Sequence, residues 1–73
     1  MSADDQEQQI QMRKLRDQAI YETDPQVRRR AVDALAIHGK RSINLLQEVA
    51  ESPFTDDSLK AYVLDKITYA NMF

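Results

Sequence analysis

Apolar and polar positions along this chain recur at helical spacing, and the segments they mark are separated by punctuation that ends helices. In the stretch from Pro25 to His38, Val27, Ala31, Ala34, Leu35 and His38 fall on one face at 100° per residue. Two of these are alanines, so the face is small and admits a close neighbour. Asp24 is freed by the following proline to act as a cap, Pro25 suits the first helical position, and Gly39 suits the left-handed residue that closes a helix. A third segment, about Arg41 to Ser52, aligns Ile43, Leu46, Val49 and Ala50 with Leu45 beside them. The short link predicts that helices two and three form an antiparallel hairpin. Pro53 and Phe54 end that helix, and Thr55 or Asp56 caps a fourth running to about Asn71. Its inner face comprises Leu59, Tyr62, Val63, Ile67 and Ala70, with Leu64 at the border.

The first segment is weaker. Ser2 and Asp5 make a capping pair, and a helix to about Glu22 carries a thin stripe of Met12, Leu15, Ala19 and Ile20, with Ile10 and Tyr21 pointing elsewhere. Its first nine residues are the expected place for fraying. Arg13–Asp17 and Asp56–Lys60 are expected to pair across one turn, as is Arg29 with Asp33. The pattern of the second helix returns 32 residues later at Asp56-Asp57-Ser58-Leu59-Lys60, followed by Val63, Leu64 and Ile67. Recurrence at that period points to a helix-hairpin repeat.

Composition narrows the class. The chain has 73 residues, a single glycine and two prolines, which leaves little room for strands or linkers and predicts one all-α domain over 1–73. With no cysteine there is neither a disulfide framework nor a thiolate metal site. A net charge of −2 offers no global attraction to phosphate backbones or anionic lipid. The apolar runs are too short to cross a bilayer, and the acidic start is the reverse of a targeting segment, so a cytoplasmic location is expected.

The segment from Asp24-Pro25-Gln26-Val27-Arg28 through Ala31, Ala34, Leu35 and Gly39, followed by Ile43, Leu46 and Val49, resembles a HEAT-repeat unit. It is most similar to the short HEAT-like repeats first noted in phycobilisome lyases. The second copy matches at Asp56, Leu59, Lys60, Val63, Asp65 and Ile67, without the proline, the alanine pair and the closing glycine. The resemblance spans roughly residues 24–71 and implies a four-helix antiparallel HEAT-like hairpin stack, a short α-solenoid fragment with a scaffold or adaptor role. It does not imply lyase activity. In this register helix one resembles the second half of an earlier repeat, helices two and three make a full repeat, and helix four opens another. An array this short is expected either to close into a small bundle or to stack an apolar end on another molecule.

Candidate chemistry is sparse. Arg28, Arg29 and Arg30 are consecutive and fan around the helix, and the resemblance implies a structural role for Arg28. Arg30, Lys40 and Arg41 are the candidate basic spot across the hairpin end. His38 lacks a second base, a nucleophile or a second metal ligand in any recognisable motif, and packing or capping explains it. Asp56 and Asp57 lack the spacing of a calcium loop, and helix capping accounts for both. Tyr69, Met72 and Phe73 are the candidate partner-binding residues, since aromatic and Met side chains are enriched in interface cores. The competing reading folds this last turn over Leu15 and Leu46. The expected function is a non-catalytic protein–protein interaction or adaptor module that needs no cofactor or metal and binds another protein or itself. The alternative is a small nucleic-acid- or ribosome-associated protein using Arg30, Lys40, Arg41 and the run Arg13-Lys14-Arg16.

Overall fold

The computed structural model describes residues 3–72. The described chain is all-helical: α1 (Ala3–Tyr21), α2 (Pro25–Ile37), α3 (Ile43–Glu51) and α4 (Asp57–Ala70), with a 3₁₀ turn at Gly39–Ser42 between α2 and α3. The expected Ser2 cap lies outside the described residues.

Each boundary has a local cause. Asp24 has extended backbone and its carboxylate accepts the Gln26 N–H at 2.9 Å, with Pro25 opening α2 behind it. Asp56 caps α4 in the same way, accepting the Leu59 N–H at 2.7 Å. That is why the expected Asp56–Lys60 pair is not formed: the carboxylate is spent on the helix end. Helix α2 stops at His38, and Gly39 follows with φ 68°, the left-handed region that a Cβ disfavours. The chain does not pass directly into α3. It winds through the 3₁₀ turn, where buried Ser42 donates its hydroxyl to the Gly39 carbonyl at 2.8 Å. Regular helix therefore begins at Ile43, two residues later than the spacing predicts.

The helices pack most extensively as α1 on α2 and α3 on α4, with α2 also against α4 and α1 against α3. Helices α2 and α3 touch each other less than either touches its other neighbour in sequence, so the expected α2–α3 hairpin is not the tightest unit. The intervening 3₁₀ turn spaces them and itself packs on α2, α3 and α4. The core is one cluster centred on Met12, Val32, Leu35, Leu46, Val49 and Val63, all within 1% of full burial.

The burial pattern corrects the face assigned to α2. Ala31 and Leu35 are buried as expected, but Val32 and Ala36 join them while Val27, Ala34 and His38 are only half-buried. The reason is position: α2 lies between α1 and α4, so its buried arc is wider than a one-sided stripe and turned toward α4. On α4, Leu59, Val63 and Ala70 are buried, Tyr62 and Ile67 are half-buried, and Leu64 is exposed.

Candidate functional site

Tyr69 sits in the last turn of α4 and Met72 just beyond it, with fractional exposures of 47% and 77%. From this turn Ala70 is buried in the core and Ile67 packs against it half-buried. Phe73 lies outside the described residues. Leu64, five residues before Tyr69 on α4, is 49% exposed. The end of α4 thus presents large apolar side chains to solvent.

Beside them a polar cluster joins α4 to α2. The Tyr62 hydroxyl donates to Asp33 at 2.6 Å, and Lys66 Nζ lies 3.4 Å from the same carboxylate. The Lys66 ammonium stands over the Tyr62 ring at 5.3 Å and the Tyr69 ring at 5.7 Å, and the Arg29 guanidinium lies 5.8 Å from the Tyr62 ring centroid. Arg29 also donates to the Ser58 hydroxyl at 3.4 Å. The expected Arg29–Asp33 pair is therefore replaced: Asp33 serves α4, and Arg29 turns to Ser58 and Tyr62. The hydrogen bond to Asp33, reinforced by burial, raises the Tyr62 hydroxyl above its ordinary pKa. The Asp33 charge raises Lys66. Both groups therefore keep their protons to higher pH than they would in the unfolded chain.

The basic-spot residues are dispersed. Arg30 is exposed in the middle of α2, and about 12 Å of helix rise separates it from the 3₁₀ turn that carries Lys40 and Arg41. Lys40 is exposed. Arg41 reaches to α1, donating to Gln8 Oε1 at 2.7 Å and lying 3.5 Å from the Asp5 carboxylate. In the run Arg13-Lys14-Arg16, Arg16 pairs with Asp17 at 3.1 Å and with Glu48 of α3 at 3.3 Å. Asp17 is thus taken by Arg16, not by Arg13 as the helical spacing predicts.

Arg28 holds the opposite end of the molecule together. Its Nε donates to the Ala19 carbonyl at 2.7 Å and its Nη2 to the Phe54 carbonyl at 2.9 Å. One side chain from α2 thus satisfies a carbonyl near the end of α1 and another in the loop after α3. Phe54, pinned there, pairs its ring with Tyr21, centroids 5.5 Å apart and planes tilted by 58°. Periodicity within single helices gave no sign of this pair, since the partners are far apart in sequence and meet only when both loops reach one end. The half-buried His38 occupies the cap position of α2, where its backbone N–H reaches Leu35 and Ala36 carbonyls. Among the described residues no three His, Asp or Glu side chains converge as a metal site, and no helix is long and apolar enough to cross a membrane. Comparison of the chain with protein-family models, with curated proteins and with solved structures finds no match.

Proposed function

We propose that this chain is a non-catalytic helical interaction module of HEAT-like hairpins that binds another protein through the outward side of α4. The observation that carries the reading is the exposure of Leu64 and Tyr69 on α4 and of Met72 just past its end. Burying such side chains is worth about 25 cal/mol per Å² before the costs of association are subtracted. The Lys66–Asp33–Tyr62 cluster fixes the neighbouring surface, so a partner meets an ordered wall of α2 and α4. The HEAT-like part of the reading is supported by the packing of alternate helices on one another, α2 on α4 and α1 on α3. It is also supported by Arg28, which joins adjacent turns as the resemblance implies.

The test compares the wild-type chain with Leu64→Lys and Tyr69→Ala in light scattering and in co-purification from native extract at low and high salt. Both substitutions sit at exposed positions and are expected to leave helicity unchanged. Loss of a salt-resistant partner, or of self-association, in both variants supports the proposal. A wild-type chain that stays monomeric and retains no partner overturns it, and a partner released by salt and competed by RNA favours the nucleic-acid alternative.

A further inference from the structure

The end of the molecule bolted by Arg28 carries a second surface, distinct from the tip of α4. An open groove of about 370 Å³ runs between the last turns of α1 and α3. Ile20, Tyr21 and Pro53 supply its apolar lining, and Asp17, Glu48 and Glu51 its charged rim. Tyr21, which lines the groove, makes a tilted ring contact with Phe54, next in sequence to the lining residue Pro53, and the two are 65% and 63% exposed. The pair is held in place: the Phe54 N–H donates to the Ser52 hydroxyl at 3.2 Å, and the Phe54 carbonyl accepts from Arg28. The loop backbone is thus fixed while both rings are left in water.

Charge decides what the groove fits. No Lys or Arg occurs in positions 17–27 or 48–59, whereas Asp17, Glu22, Asp24, Glu48, Glu51, Asp56 and Asp57 all do. Neither α1 nor α3 has a basic residue of its own in its last turn, so the negative ends of both helix dipoles point to this end, where Arg28 satisfies the Ala19 carbonyl and Asp24 and Asp56 cap the positive ends of α2 and α4. The three cations that reach it are committed: Arg28 to two backbone carbonyls, Arg16 to Asp17 and Glu48, and Arg29 to the Ser58 hydroxyl and the Tyr62 ring. An anion or nucleic acid is repelled here, and an open groove suits an extended segment better than an enclosed small molecule. We propose that the Tyr21–Phe54 groove binds a basic, arginine-bearing segment of a partner protein, with a guanidinium over the aromatic pair and its neighbours facing Glu48 and Glu51. Arginine fits best because its planar cation stacks on rings and forks onto carboxylates at once. This adds a surface and a partner chemistry to the reading of the chain as an interaction module.

The test is an NMR titration of the full chain with a short Arg-Gly repeat peptide, against a Glu-Gly repeat of equal length. Saturable shifts at positions 16–24 and 48–54 with the arginine peptide alone are expected. Tyr21→Ala should weaken binding by about threefold, the fold-change of one cation–π contact at an exposed site. Phe54→Ala provides the same readout should Tyr21→Ala lose helicity. Glu51→Lys should weaken it further and flatten its salt dependence. The inference is overturned by an absence of saturable shifts at these positions, or by shifts that track acidic residues elsewhere on the chain. Unchanged affinity in both aromatic variants overturns it equally, since charge alone would then explain binding. Leu64→Lys should bind the peptide as wild type does, so this result and that for the α4 surface stand or fall separately.

Discussion

Arg28 shows how much one side chain carries in a chain this small. Its two hydrogen bonds reach segments 9 and 26 residues away, and both acceptors are backbone carbonyls. Hydrogen bonds to charged groups contribute about 1.5–3 kcal/mol when buried, less when wet, so Arg28→Ala should cost about 2 kcal/mol in urea unfolding. Arg28→Lys should recover less than half of that, because a single ammonium does not span both acceptors with the geometry of the fork. Tyr62 gives a second test. Removing its hydroxyl with Tyr62→Phe should cost about 1 kcal/mol, the net worth of a hydrogen bond. It should also change the alkaline limb. The protonated forms of Tyr62 and Lys66 are favoured in the folded state, so the stability they confer is complete below their ordinary values near pH 10. It is lost as pH rises through the higher folded values, where the unfolded chain binds fewer protons. Thermal melts from pH 8 upward should therefore fall less steeply for Tyr62→Phe than for wild type.

At the scale of the element, local grammar was readable and cross-chain chemistry was not. Asp24, Pro25, Gly39 and Asp56 set boundaries because capping depends on neighbours within four residues, which any sequence displays. The pairs predicted from helical spacing failed together: Asp17, Asp33 and Asp56 are engaged by Arg16, by Tyr62 and Lys66, and by the α4 N-terminus. A one-turn pair is worth only a few tenths of a kcal/mol, and any better-placed partner displaces it. The same limit hid the aromatic pair and the burial of Val32 and Ala36, since both depend on which helices lie on either side. Helix α1 shows the consequence. Its N-terminal half has few apolar anchors before Met12, and Arg41 ties it down through Gln8 and Asp5. Arg41→Ala should cut hydrogen-exchange protection of amides 7–11 several-fold while leaving α3 and α4 unaffected.

For the whole molecule, smallness governs. A domain of this size holds a few kcal/mol in reserve, and its one core cluster is shared by all four helices. Leu46, fully buried within that cluster, has no second core to compensate its loss. Leu46→Ala is expected to cost about 2–5 kcal/mol, enough to leave a large unfolded population at 37 °C by circular dichroism. Surface variants at Tyr21, Leu64 or Tyr69 should melt with wild type. That contrast separates the side chains that hold the fold from those it displays.

Gly39 combines two demands at a single α-carbon: a left-handed torsion, and a site inside the packed turn. Mirror-image chemistry can pull them apart, because total synthesis is practicable for a chain of 73 residues. L-alanine at this position meets both the torsional and the steric objection, whereas D-alanine is at ease with the torsion and meets only the second. Their difference in melting should therefore report handedness alone, about 1–2 kcal/mol, and whatever loss they share measures how little room a methyl group has where the chain turns from α2 toward α3.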